Sequence, residues 1–168
     1  MKIGILPLGR DTFDVEFANE KLAGMLRALD VLDGAGHEIV GARSLLFDAQ
    51  ATQNAIADLQ SQAIEYLMVL QVTFTDASMT VLTASAFDCP LGIWAVPEPR
   101  IGGRLRLNAF CGLNLASHAL GRNHQKFSWL YADPTRNVAQ DLAAMLAGVR
   151  EISPLSGQKI DAIDPEAT

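Results

Sequence analysis

The chain has 168 residues, 49% of them hydrophobic and 19% charged, which suits one ordinary globular domain with a real core and excludes disorder and fibrous repeats. Its formal charge of −6 argues against nucleic acid or an anionic membrane surface as partner, since both reward a net basic face. No run approaches the roughly 18 uninterrupted apolar residues of a membrane span, and MKIGILPLGRD at the N-terminus reads as a strand rather than a signal peptide, so a cytoplasmic protein is expected.

The first strand is expected at Lys2 to Leu6, KIGIL, and the helix after it opens near Thr12 or Asp14. That helix carries Leu22, Met25, Leu26 and Leu29 at i, i+3, i+4 and i+7, so one face is core, and it ends at DGAG. A short second strand, Glu38 to Gly41, leads to a helix around Thr52 to Gln62 with Ile56, Leu59 and Ala63 inward. Strand three is Tyr66 to Leu70, YLMVL, whose continuous apolarity marks burial on both faces. Asp76 N-caps a helix through Ala86, and CPLGIWAV supplies strand four. A loop with two prolines, three arginines and a Gly-Gly pair then runs into a helix from about Phe110 to Leu120, stopped by Gly121. Strand five is Phe127 to Tyr131, and a last helix starts near Pro134 with Val138, Leu142, Met145, Leu146 and Val149 on one stripe.

Five βα units in succession give an α/β fold: a three-layer αβα sandwich around a five-stranded parallel sheet, Rossmann-like, with the flavodoxin-like order 2-1-3-4-5. Residues 1–151 form the domain. After Glu151, ISPLSGQKIDAIDPEAT mixes Pro, Gly and acidic residues with isolated Ile160 and Ile163, so residues 152–168 read as a linker toward catalytic domains absent from this sequence.

In a parallel sheet the ligand crevice lies outside the carboxyl ends of the strands. Strand one delivers PLGRDTFD there, strand three QVTFTD, and strand four the arginine loop. Arg10, Gln71, Thr73, Asp76, Trp94, Glu98, Arg100, Arg104, Arg106 and Asn108 should therefore converge on one rim, either as a functional site or as loop-stapling ion pairs in which Glu98 holds an arginine. Trp94, the last apolar residue of its strand run, either packs under the loop or offers its face and indole N–H to a sugar. Dinucleotide binding is a poor fit, because no G-x-G-x-x-G follows a strand. A phosphoacceptor receiver would need an acidic pair after strand one and an aspartate where Gln71 stands, and a flavodoxin-type phosphate loop would need more small hydroxyl residues than Gly9 and Thr12 provide.

His37, His118 and His124 form no close ligand pair. His118 reads as a packing histidine, Cys89 as a small hydrophobe, Cys111 as structural and Trp129 as core. Cys89 and Cys111 make no disulfide framework.

The segments LPLGRDTFDVEFA, LQVTFTDASM and WAVPEPRIGGRLRLNAFCGLNLASHAL, with the long final helix, resemble the N-terminal domain of the L-fucose/L-arabinose isomerase family, in particular its fucose isomerase-like branch. The resemblance covers nearly the whole chain. It implies a metal-dependent aldose–ketose isomerase in which a divalent metal, usually manganese (Mn2+), sits between substrate hydroxyls while carboxylates shuttle a proton. In such enzymes two carboxylates and a histidine of the later domains ligate the metal, so none of the ligands belongs to this chain and the fragment alone is expected to be inactive. It also implies an N-terminal lid over the active site of a neighbouring subunit in a homo-oligomer, a hexamer, with Arg10 and Trp94 helping to hold the monosaccharide. Gln71 and Asn108 join them as candidate substrate-binding residues. Glu98, Arg100, Arg104 and Arg106 belong to the loop; three arginines exceed what a neutral sugar needs, so they fasten the lid to another subunit or meet an anionic group such as a sulfonate or phosphate. The residues leave open a second reading, a stand-alone α/β domain that binds or senses a small anion.

Overall fold

The computed structural model describes residues 1–99, 102–148 and 151–152. Strands β1 (Lys2–Leu8), β2 (Glu38–Gly41), β3 (Tyr66–Gln71), β4 (Leu91–Ala95) and β5 (Phe127–Tyr131) alternate with helices α1 (Val15–Gly34), α2 (Ala49–Gln60), α3 (Ala77–Ser85), α4 (Ala109–Arg122) and α5 (Ala139–Leu146). The five strands are parallel in the order β2-β1-β3-β4-β5, as the βα succession requires. A short sixth strand, β6 (Glu151–Ile152), adds antiparallel to β5, with Ile152 opposite Phe127. No sequence signal marks β6, because two residues carry no periodicity.

Helices α1 and α5 pack together, and α2, α3 and α4 follow one another in contact, so the sheet is covered on both faces. That explains why β3 and β4 are buried at every position. The α1 stripe is seated as its spacing predicts, with Leu22, Met25 and Leu29 buried and Leu26 packed against the core; each fully buried side chain of this kind stabilises the domain by about 1.5–3 kcal/mol. Aspartates cap three helices. The carboxylates of Asp14, Asp48 and Asp76 accept the amides of Phe17, Ala51 and Ser78, each satisfying a donor the first helical turn leaves free.

Three boundaries differ from expectation. Ala63 lies beyond the end of α2, exposed and at φ 50°, where the chain turns toward β3, so it does not point inward. Gly121 is inside α4, which runs on to Arg122. Helix α5 begins at Ala139 rather than near Pro134, because Pro134 is buried against α1, where its ring lies 3.0 Å from the point a Cβ on Gly24 would occupy. Val138 is still buried; Val149 and the expected linker, apart from Ile152, lie outside the described residues. Among the described residues no helix is long and apolar enough to cross a membrane.

Candidate functional site

The parallel register aligns Leu8, Gln71, Ala95 and Tyr131 in one row across β1, β3, β4 and β5. Everything just beyond that row lies at the carboxyl edge of the sheet. Arg10 follows β1 there. Its amide donates to the Thr73 hydroxyl at 2.8 Å, and its guanidinium pairs with Asp76. The Ser78 hydroxyl, the Ser78 amide and Arg10 together hold the Asp76 carboxyl below the usual carboxylate range against the upward push of burial.

Between β4 and α4 the chain folds back across this edge. Gly102 and Gly103 stand at φ 85° and 79°, a backbone region that residues with a Cβ adopt only under strain. The returning segment is bonded on both sides. Its Arg106 and Leu107 carbonyls accept the amides of Asp14 (3.1 Å) and Phe74 (2.7 Å). Its own amides turn to Glu98, whose carboxylate accepts from Arg106 at 3.1 Å, Leu107 at 2.8 Å and Asn108 at 2.5 Å. Asn108 is the N-cap of α4 but stands left-handed at φ 53° with no side-chain cap bond. Glu98 supplies the anion at the helix start instead. Leu107, with no exposed surface, is packed where the segment crosses, so the mouth that doubly wound domains leave open for a ligand is filled here by the chain itself.

What faces outward is a cleft of about 410 Å3 lined by Thr12, Phe13, Asp14, Arg104, Leu105 and Arg106. Arg106 is committed: its Nε and Nη2 both lie 2.8 Å from Asp14 Oδ2, and its guanidinium stacks 3.8 Å from the centre of the Phe17 ring. The Phe17 amide, followed by Arg106, keeps the Asp14 carboxyl below its ordinary range. Arg104 has no ion-pair or hydrogen-bond partner among the described residues and is exposed. An uncommitted guanidinium beside the half-exposed Leu105 and the partly buried Phe13 is equipped to meet an oxyanion carried on a partly apolar body.

The residues singled out from sequence divide. Arg10, Thr73, Asp76, Glu98, Arg104, Arg106 and Asn108 all stand at the carboxyl edge; Arg100 lies outside the described residues. Three have no exposed surface: Thr73, whose hydroxyl is taken by the Arg10 amide and the Phe74 carbonyl, Trp94 and Gln71. Trp94 has no exposed surface and its indole N–H donates to the Ala132 carbonyl at 3.0 Å, so it packs under the edge and offers neither ring nor donor. Gln71 is equally buried: its Nε2 donates to the Thr73 carbonyl and the Thr75 hydroxyl, while its Oε1 has no partner. Among the described residues Glu98 holds backbone amides and no arginine side chain. His118 is exposed on α4 and does no packing, and Cys111 is exposed rather than structural. Cys89 and Trp129 are half-buried against the core as small and large hydrophobes.

Sequence reading missed Asp14 as the partner of Arg106 and did not single out Tyr131. The Tyr131 hydroxyl is pushed up by burial, partly offset by the Glu98 amide that donates to it, and further raised by the nearby Glu98 and Cys111. Its ring meets exposed Phe110 with centroids 5.0 Å apart. Among the described residues no three of His, Cys, Asp and Glu gather where they could hold a metal ion. The edge carboxylates Asp14, Asp76 and Glu98 are each tied to arginine or amides, and the resemblance places the metal ligands outside this chain.

The fucose/sulfoquinovose isomerase N-terminal domain model matches residues 4–155. A sulfoquinovose isomerase of Priestia aryabhattai is 29% identical over 160 residues, covering 94% of this chain and 35% of that protein. Those of Alkalicoccus urumqiensis and Clostridium sp. (strain MSTE9) are 25% and 27% identical, over 87% and 79% of this chain and 32% and 29% of theirs. The chain thus spans about a third of the length of the curated relatives it matches. A lac repressor crystal structure aligns with a TM-score of 0.41 and 14% identity over 89% of this chain and 54% of its own, too distant to bear on function.

Proposed function

Because the chain belongs to the fucose/sulfoquinovose isomerase N-terminal domain family, we propose that it is the substrate-covering domain of an aldose–ketose isomerase whose sugar carries an acidic group. Unpaired Arg104 at the mouth of the outward cleft is the observation that carries this reading. The relatives are named for sulfoquinovose, a sugar bearing a sulfonate, and a guanidinium pairs bidentately with two oxygens of such a group as it would with those of a phosphate.

Hydrogen transfer between adjacent sugar carbons needs a base free to take a proton. This chain is ill suited to supply it. Asp14 and Asp76 are held low by their partners, and Glu98 is saturated by three amides. In this reading the base and any Mn2+ belong to residues outside this chain, and the domain contributes binding and orientation from the face of a neighbouring subunit in a cytoplasmic homo-oligomer.

The test is the Arg104→Ala variant in the full-length enzyme, assayed for aldose–ketose conversion with a sulfonated and a neutral sugar. KM for the sulfonated sugar should rise about three- to tenfold, the range for a partly covered ion pair, with the neutral sugar unaffected. Unchanged KM for both, with unchanged sedimentation, would make Arg104 an ordinary solvated charge and end the reading.

A further inference from the structure

We infer that Glu98 is a positioning residue for anion recognition: without touching the anion, it fixes the backbone that carries Arg104. This rests on the reading of Arg104 given above. The Glu98 carboxylate, after β4, accepts the amides of Arg106, Leu107 and Asn108, just before and at the start of α4. One side chain therefore connects the exit from β4 to the start of α4. Arg104 is two residues from the nearest of those amides, with the Gly102–Gly103 pair at left-handed φ on its other side. The glycines leave that side loosely constrained, so the amide clasp sets where the guanidinium stands over the cleft. Carboxylate bonds to several amides are charge-assisted and resist exchange with water more than neutral contacts do.

The sign of the effect separates positioning from simple electrostatics. Glu98 is negative, so a mere neighbour of the anion site would repel the ligand, and Glu98→Gln would then tighten binding. If the carboxylate acts by holding the loop, Glu98→Gln loosens it instead. The amide oxygen of glutamine retains a partial acceptor for Leu107 and Asn108, whose amides share Oε1, and loses the charge assistance. Glu98→Ala removes the clasp entirely.

The experiment is a titration of the 168-residue chain with inorganic sulfate, read from the Arg104 Nε–H and the Arg106, Leu107 and Asn108 amide signals in nitrogen–proton NMR spectra. It uses wild type, Glu98→Gln, Glu98→Ala, Arg104→Ala and the Arg104→Ala/Glu98→Gln double variant. Expected are a saturable shift in wild type, a loss of affinity of about twofold in Glu98→Gln and at most about fivefold in Glu98→Ala, the whole worth of an exposed ion pair, and no further loss from Glu98→Gln once Arg104 is gone. Amide exchange at Arg106–Asn108 should quicken in the same order. Unchanged or tighter sulfate binding in Glu98→Gln, with Arg104→Ala weakened, overturns the positioning role and leaves the reading of Arg104 standing. Equal loss from Glu98→Gln in both backgrounds overturns it as well, showing a general structural effect. No effect of Arg104→Ala removes the anion reading and this inference together.

Discussion

Charge at the carboxyl edge is organised by which residues are already engaged. Asp14 serves two masters, the first turn of α1 and the guanidinium of Arg106. Its carboxyl is held low in the folded chain, chiefly by the Phe17 amide, so its contribution to stability is fully present above the unfolded carboxylate value, near pH 4, and is lost as pH falls through the lower folded value. Urea midpoints measured from pH 6 down to pH 2 should therefore drop less steeply for Asp14→Asn than for wild type, with the variant already weaker at pH 6. Parallel curves would show that Asp14 titrates alike in both states. The partnership itself could not be read in advance, because 92 positions separate Asp14 from Arg106 and no local spacing signals such a pair. What sequence did convey was the row of polar residues after strands β1, β3 and β4. It could not say which of them look outward. Trp94 and Gln71 end buried because strand positions alternate between two faces that are both covered by helices, and a residue one position before the edge still belongs to the sheet.

Helix α4 shows the same logic one level up. It is brought to its place by close approach: a Cβ on Gly112 would stand 2.9 Å from Gln71 Nε2 and 3.2 Å from the Phe74 Cα. The second contact is backbone and cannot swing aside. Gly112→Ala should cost about 1–3 kcal/mol through overpacking, more than the helix propensity gained by alanine returns, and should disturb the segment that α4 anchors. Denaturant unfolding measures the cost; a neutral or stabilised variant would mean that α4 shifts freely. The elements themselves were legible, since the order of strands and the α1 stripe follow from alternation and 3.6-residue spacing. The start of α5 was not. Pro134 is well suited to a first helical turn, yet tertiary packing against Gly24 placed it in the preceding turn, and propensity yields to packing when the two conflict.

At the scale of the molecule, the sheet and its two helical layers close a single core. The 168-residue chain should unfold cooperatively in urea, bind manganese no more tightly than millimolar, and give no aldose–ketose conversion by itself, since an oxygen-ligand site needs several donors converging on one point. Isothermal titration with manganese and an assay of the purified chain check this. Micromolar binding or steady turnover would move the catalytic centre into this domain.

Burial of Leu107 across the mouth of the sheet has a further consequence. Most doubly wound domains work as cups, with a ligand lowered between loops that already exclude water. This one is closer to a stamp. Its outward cleft is open and Arg104 is exposed, so on the proposed reading an oxyanion there would stay half in solvent, where a single ion pair is worth about 1 kcal/mol or less. The same contact strengthens several-fold once another surface descends and lowers the local dielectric. On the proposed reading such an architecture would make grip conditional on closure: a guanidinium that selects an anion would hold it weakly while the face stands open and strongly once another surface covers it.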